Sequence, residues 1–185
     1  MHLPPRVDDQ LRIGVAVEVP EPYAALVQAQ RARSGDPLAR AVAPHVTILP
    51  PAVVEPEDMP AVHEHLAAAA AAHRPFVMTL QGTGTFRPVS PVVFVRVQDG
   101  AQRCAELERD VRSGPLASAL RFDYYPHVTV AHDVPEAAMD EAERAMAAFH
   151  ATFAISWLSL FHHHEDGVWR RDRTFPLGGG RPPEP

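Results

Sequence analysis

Short segments rich in β-branched apolar residues alternate along the chain with longer segments in which apolar residues recur every three or four positions. This pattern predicts a mixture of strands and helices. Short β-branched runs are typical of strands, and they cover 12–20, 45–49, 76–86, 92–97, 127–132, 152–161 and 168–177. The intervening segments predict helices, at 22–33, 57–73, 101–112 and 136–150. The pattern therefore predicts an α+β fold with strands and helices interleaved.

A five-residue motif occurs twice in this pattern. The sequence reads PHVTI from Pro44 and PHVTV from Pro126. Each copy lies in the same order of elements: strand, helix, motif strand, helix, strand. This order predicts one domain over 1–177, made of two duplicated, pseudo-symmetric lobes that face each other across a cleft. The Gly- and Pro-rich end, 178–185, is predicted to be a disordered tail.

The motif also indicates chemistry. Alternate side chains of a strand share a face, so His45 and Thr47 point one way, and His127 and Thr129 do the same in the second copy. If a pseudo-twofold axis relates the lobes, these polar faces converge. Two imidazoles can then act as acid and base, while the hydroxyls donate hydrogen bonds to phosphate oxygens. A structural histidine is the simpler interpretation of one copy, but two copies in matching contexts weigh against it.

Composition narrows the class of protein. The 17 basic residues, all arginine, against 23 acidic ones give a net charge of −6, which argues against a protein that coats long nucleic acid. A small phosphate-bearing ligand remains compatible with that charge. The N-terminus lacks the pattern of a signal peptide, and no apolar run is long enough for a membrane span. We therefore expect a cytoplasmic protein with no membrane partner, and a monomer.

Two histidine clusters raise the question of a metal site. His63 and His65 are two positions apart on a predicted helix and do not share a face. The run His162–His164 lies at a predicted turn, where any metal binding would be adventitious rather than structural or catalytic. Since the chemistry of the repeated motif needs no metal, we predict neither a metal site nor a cofactor.

The repeated motifs resemble those of the two-histidine (2H) phosphoesterase superfamily, whose mark is a pair of His-x-Thr-x motifs. Here these read HVTI from His45 and HVTV from His127. Within the superfamily, the chain is similar to the bacterial 2′-5′ RNA ligase, or RNA 2′,3′-cyclic phosphodiesterase, branch. The resemblance runs from about 12 to 177 and includes the GTGTF and TFPL strands. It implies two antiparallel sheets facing a central cleft with helices outside.

The resemblance also implies an activity. Family members hydrolyse a 2′,3′-cyclic phosphate, or a 2′-5′ linkage, at RNA or nucleotide ends without a metal, and the ligase name reflects the reverse reaction. By position, His45 and His127 would be acid and base, and Thr47 and Thr129 would bind phosphate. Pseudo-symmetry leaves open which histidine is the acid. The analogy favours His45 as the acid and His127 as the base.

One departure from the family concerns the positive charge. Members often carry an arginine three residues after the second threonine, where this chain has His132. Regular alternation turns His132 away from the cleft unless the strand bulges or ends first. Arg87 or Arg121 could supply the charge, although each also suits a surface role. Tyr125 shares the face of His127 and could stack on a base or simply pack.

Three functions stay open on the sequence alone. The first is a phosphodiesterase acting on RNA ends. The second is the same chemistry on a small nucleotide, such as an ADP-ribose cyclic phosphate or a 2′-5′ oligoadenylate, which the acidic net charge favours over long RNA. The third is a non-catalytic module that binds a nucleotide or RNA in the same cleft.

Overall fold

The computed structural model describes residues 3–7 and 9–179, which form an α+β fold as predicted. The strands are β1 (Leu11–Glu18), β2 (His45–Val54), β3 (Phe76–Thr85), β4 (Val92–Asp99), β5 (His127–His132), β6 (His150–Ile155), β7 (Trp157–His163) and β8 (Trp169–Pro176). The helices are α1 (Tyr23–Arg33), α2 (Met59–Ala72), α3 (Ala101–Val111) and α4 (Glu136–Met146). Of the predicted tail, Gly178 and Gly179 belong to a 3₁₀ turn, and 180–185 lie outside the described residues.

The strands pair in one antiparallel sheet, in the order β6-β3-β4-β5-β2-β1-β7-β8. The two sheets that the resemblance implies are therefore the halves of a single sheet. One half is β6-β3-β4-β5 and the other is β2-β1-β7-β8. A single backbone pair, between Val46 of β2 and Val128 of β5, joins the halves. The two motif strands consequently lie side by side at the centre.

Each half of the sheet takes strands from both copies of the repeat. β3 follows the first motif along the chain, yet it pairs with β4 and β6, in the half that contains the second motif strand, β5. β7 follows the second motif along the chain and pairs with β1, in the half that contains the first motif strand, β2. The helices cross over in the same way, since α1 packs against β5 and α3 against β2. The two repeats are thus interlocked.

The strand predicted over 152–161 is two strands, and this is a correction to the sequence interpretation. β6 ends at Ile155 and β7 begins at Trp157, with Ser156 between them. β6 forms an outer strand beside β3, whereas β7 pairs with β1 and β8 in the other half. No glycine or proline marks the break, so the apolar pattern runs through it.

One hydrophobic core holds the strands and helices together. The predicted apolar faces are buried, with Val62 and Leu66 in α2 and Met139 and Ala142 in α4. Full burial of a side chain of this size contributes about 1.5–3 kcal/mol. No helix in the described part of the chain has the length and apolar character that crossing a membrane requires; α2 extends over only 14 residues.

Candidate active site

The two motif strands line a cavity of about 650 Å³, which is within the usual size range of small-molecule sites. His45 and Thr47 of β2 reach it from one side, and His127 and Thr129 of β5 reach it from the other. The intervening valines and the residues that follow each threonine are fully buried in the core. The alternation in the sequence therefore does place the four polar side chains around one shared space.

The junction between β2 and β5 sets how these side chains face one another. Val46 lies directly opposite Val128 in an antiparallel pair. In such a pair the flanking residues face each other crosswise, with Cβ atoms roughly 5 Å apart. Each histidine therefore lies across from the threonine of the other motif. A ligand in the cavity meets an imidazole and a hydroxyl on either side.

The rings of His45 and His127 are oriented by the same kind of hydrogen bond to the backbone. Nδ1 of His45 is 2.7 Å from the carbonyl oxygen of Ala43, and Nδ1 of His127 is 2.7 Å from that of Tyr125. A carbonyl oxygen only accepts hydrogen bonds, so Nδ1 carries a proton and donates it in both residues. In the neutral ring, Nε2 is then the nitrogen with the free lone pair, ready to take a proton.

These groups keep their hydrogen-bonding capacity for a ligand. Within the described ranges, neither Nε2 atom and neither hydroxyl of Thr47 or Thr129 hydrogen bonds to another residue. Neutral Nε2 accepts a proton, protonated Nε2 donates one, and a hydroxyl donates to an oxyanion. The four groups can therefore bind a phosphoryl group and move protons on both sides of it.

The pKa values of the two histidines are shifted in the same direction. Burial is the largest cause and lowers the pKa of both His45 and His127, while the backbone hydrogen bond at Nδ1 opposes it. His45 also lies near the guanidinium of Arg31, which lowers its pKa, and near the carboxylate of Glu18, which raises it. Both imidazoles are therefore predominantly neutral at pH 7.

His132 reaches the cavity through a β-bulge. The register between β4 and β5 shifts between Thr129 and Ala131, which leaves Val130 as an extra residue in β5. Both Val130 and Ala131 are buried, and the alternation is reversed beyond them. His132 consequently lines the cavity, with its Nε2 3.2 Å from a carboxylate oxygen of Asp133. Regular alternation would have turned this ring away.

The contacts of Arg87 place it away from the cavity, and its predicted role in substrate binding stays a prediction. Its guanidinium is 2.7 Å from Asp140, 3.0 Å from Glu143 and 3.5 Å from Glu136, all on α4. It is not among the residues that line the cavity. Arg87 links α4 to the end of β3, and its guanidinium is shared among these three carboxylates.

The loop before β5 contributes aromatic surface to the cavity rim. Tyr125 is 47% exposed and packs edge-on against Phe86 and Phe94. Arg121 also lines the cavity, with its guanidinium 5.3 Å from the centre of the exposed Phe122 ring. Tyr125 thus lies at the cavity rim with part of its side chain exposed, and its role in stacking on a base stays a prediction.

Two residues that the sequence interpretation missed also shape the site. Arg31 of α1 is buried beside the cavity and bound to Asp36. The turn Ser34-Gly35 before an acidic residue was the available signal, because it folds Asp36 back onto the end of the helix. Tyr124 donates its hydroxyl hydrogen to the carbonyl oxygen of Thr47 at 2.8 Å, which ties the loop before β5 to β2.

Replacing Tyr124 by phenylalanine is expected to lower the free energy of unfolding by about 1 kcal/mol, since the hydrogen bond to the Thr47 carbonyl is lost. Tyr125→Phe is the matched control, because that hydroxyl makes no hydrogen bond to another described residue. Urea unfolding measures both. Equal stability of the two variants would contradict the bridging role of Tyr124.

Metal-binding side chains are not clustered in the described part of the chain. No three His, Cys, Asp or Glu side chains there are arranged to hold a metal ion. His162 and His163 lie in β7, and His63 approaches Asp172 of β8 at 3.5 Å. The histidine-rich segments do not form a ligand set with one another.

The sheet and the paired His-x-Thr motifs at its centre define a two-histidine phosphoesterase. The model of the 2′-5′ RNA ligase superfamily matches residues 19–167, and the chain belongs to this family. A curated protein of Halalkalibacterium halodurans named "Putative phosphoesterase" is 24% identical over 170 residues, which are 91% of this chain and 98% of that protein. One of the same name from Bacillus cereus is 25% identical over 147 residues, covering 78% of this chain and 85% of its own.

Solved structures share the fold. Escherichia coli LigT complexed with NADP+ superimposes with a TM-score of 0.65 at 20% identity, covering 92% of this chain and 99% of LigT. The protein TT0787 of Thermus thermophilus gives a TM-score of 0.58 at 22% identity, covering 92% of this chain and all of the other. Each likeness covers about nine-tenths of this chain, so it concerns the fold as a whole.

Proposed function

We propose that this phosphoesterase is a metal-independent phosphodiesterase that opens a 2′,3′-cyclic phosphate at an RNA or nucleotide end and leaves a 2′-phosphate. The observation that supports it is the arrangement of His45 and His127, each oriented through Nδ1 and each with Nε2 free beside a threonine hydroxyl. Acid and base on opposite sides of one phosphate are what an in-line displacement by water requires.

The reaction follows from the protonation states. A neutral imidazole takes a proton from water through Nε2 as the water oxygen attacks phosphorus. The second imidazole, protonated at Nε2, donates that proton to the departing 3′ oxygen. Thr47 and Thr129 donate hydrogen bonds to the non-bridging oxygens as charge develops there. The analogy assigns the acid to His45 and the base to His127. With the 5′-hydroxyl of a second chain in place of water as the nucleophile, and the same 3′ oxygen leaving, the site would join ends through a 2′-5′ linkage.

The nature of the substrate is proposed from the cavity and from the relatives. Structures of LigT have been solved with 3′-AMP and with ATP, so that protein accepts nucleotides. In the present chain, the net charge of −6 and a cavity of small-molecule size favour a short nucleotide end over a long RNA.

The test is turnover of a 2′,3′-cyclic mononucleotide in EDTA, with the product isomer identified by phosphorus NMR. Formation of the 2′-phosphate supports the proposal, and formation of the 3′-phosphate contradicts the direction of opening. If the mononucleotide is not cleaved, cyclic-phosphate oligonucleotides of increasing length follow. Binding of all of them without cleavage would instead establish the non-catalytic module.

The pH dependence of this reaction has an expected sign. The base works when neutral, so kcat/KM rises as pH passes the pKa of the base, and the acid works when protonated, so kcat/KM falls above the pKa of the acid. Because burial lowers the pKa of His45 and of His127 from the usual 6.5, the maximum of kcat/KM is expected below pH 6.5. A pH–rate profile measures it, and a maximum above pH 7.5 would contradict the assignment.

A further inference from the structure

Arg31 and Arg121 are the arginines that line the cavity in the described part of the chain, and they differ in their surroundings. Arg121 lies in an exposed loop over the Phe122 ring. The Arg31 side chain is only 5% exposed and yet faces the same space as His45 and His132. A buried guanidinium in a ligand cavity must have partners for its charge and its five N–H groups.

Two of the three nitrogens of Arg31 have fixed protein partners. Nε donates to Oδ2 of Asp36 at 2.9 Å, and Nη1 donates to the carbonyl oxygen of Val42 at 2.6 Å. Nη2 makes no hydrogen bond to any described residue. Asp36 is completely buried and also accepts from the backbone N–H of Leu38 at 2.8 Å. The guanidinium is therefore held in one orientation with a donor nitrogen uncommitted.

A phosphodiester is negatively charged, whereas the imidazoles of the two motifs are predominantly neutral at pH 7. A compensating positive charge therefore has to come from elsewhere in the cavity. His132 also lines the cavity, but burial lowers its pKa and leaves the ring predominantly neutral at pH 7. The Arg87 guanidinium is taken up by three carboxylates. Arg31 is permanently charged, and it is close enough to His45 and His132 to lower the pKa of both.

We propose that Arg31 holds a non-bridging oxygen of the substrate phosphate through Nη2, with Asp36 orienting the guanidinium. This inference rests on the proposed function. It assigns the cationic contact to the end of α1, in the half of the chain that carries the first motif. The residue also orders the loop before β2, because Val42, whose carbonyl it holds, precedes Ala43, whose carbonyl orients His45.

Inorganic phosphate is the probe, since it tests the contact without requiring turnover. Phosphate is titrated into wild type, Arg31→Met, Arg31→Lys and Arg40→Met, and the imidazole resonances of the cavity histidines are followed by NMR. Arg40 is the matched control, because it is exposed and does not line the cavity. Loss of one charge-assisted contact is expected to weaken phosphate binding by about 10- to 100-fold in Arg31→Met. Arg31→Lys should recover part of the loss, and Arg40→Met should match wild type.

A further variant separates the loss of the phosphate contact from a loss of folding. Arg31→Met leaves the Asp36 carboxylate buried without its partner, so the double variant Arg31→Met/Asp36→Asn is measured beside it, because it removes both charges. Phosphate affinity equal to wild type in a folded Arg31→Met or double variant would overturn the inference, as would a wild-type protein that does not bind phosphate. If phosphate binding depends on Arg31 but no cyclic phosphate is cleaved, the proposed function fails and the contact stands.

Discussion

Alanine in place of His45 or His127 is expected to lower kcat/KM for a 2′,3′-cyclic mononucleotide by about 10²–10⁴-fold, the usual contribution of general acid–base catalysis. The loss follows from geometry. Each imidazole is oriented by one hydrogen bond to its own loop, and each Nε2 has no other partner among the described residues. Steady-state kinetics below pH 6.5 measures the effect.

The same two variants should fold. Each histidine is half-buried at the cavity wall, outside the hydrophobic core, and its ring makes one backbone hydrogen bond. The His127 ring also packs against Phe86 and Phe94, so its truncation costs more packing than that of His45. His164→Ala is the control, because that side chain is exposed and outside the cavity. The double variant should be hardly slower than the slower single one, because the two groups act in one step. A folded His127→Ala that keeps most of its rate would remove that histidine from the mechanism.

Phe94→Ala is expected to lower the free energy of unfolding by about 3–5 kcal/mol, as is usual for removing a buried aromatic ring. Phe94 is 4% exposed. Its ring centre is 4.4 Å from that of Phe86, 5.2 Å from that of His127 and 5.5 Å from that of Tyr125. Removing it opens the wall behind His127 to water. Guanidinium unfolding of the variant measures the loss.

A second readout links this packing to the site. Burial is the main reason that the pKa of His127 is low, so hydration of the Phe94 position should raise that pKa toward the usual value. NMR titration of the imidazole measures the change in folded protein. Phe94→Leu is the control, because it keeps most of the apolar volume and should move the pKa of His127 less. An unchanged pKa in folded Phe94→Ala would show that other groups keep the ring dry.

The parts of the fold that local patterns determine were predictable from the sequence. His45 and His127 open β2 and β5 as expected, because alternation within a strand needs no knowledge of its neighbours. The division of 152–161 was missed because it depends on which strand each half pairs with. Pairing partners far along the chain leave no local mark, and Ser156 is not a strand breaker.

In the candidate site too, the sequence does not predict which charged residues face the cavity or where a strand becomes irregular. Arg87 and Arg31 look alike in the sequence, and only tertiary contacts show that one is bound by three carboxylates while the other lines the cavity. The acidic residues 136, 140 and 143, which recur on one face of α4, were a signal that this helix needs a basic partner. The bulge that turns His132 inward has no glycine or other local marker, since the extra residue is Val130.

The interlocked repeats affect how the protein can form during synthesis. β1 is made long before the strand on its outer side, β7, although Ile13 pairs with His162. An emerging chain therefore carries β1 and β2 as an incomplete sheet with an open edge until β7 has left the ribosome. Neither copy of the repeat contains a whole half of the sheet. A chain that stops between the two repeats exposes strand edges instead of forming one working lobe, and the histidine pair is complete only once β5 has been made.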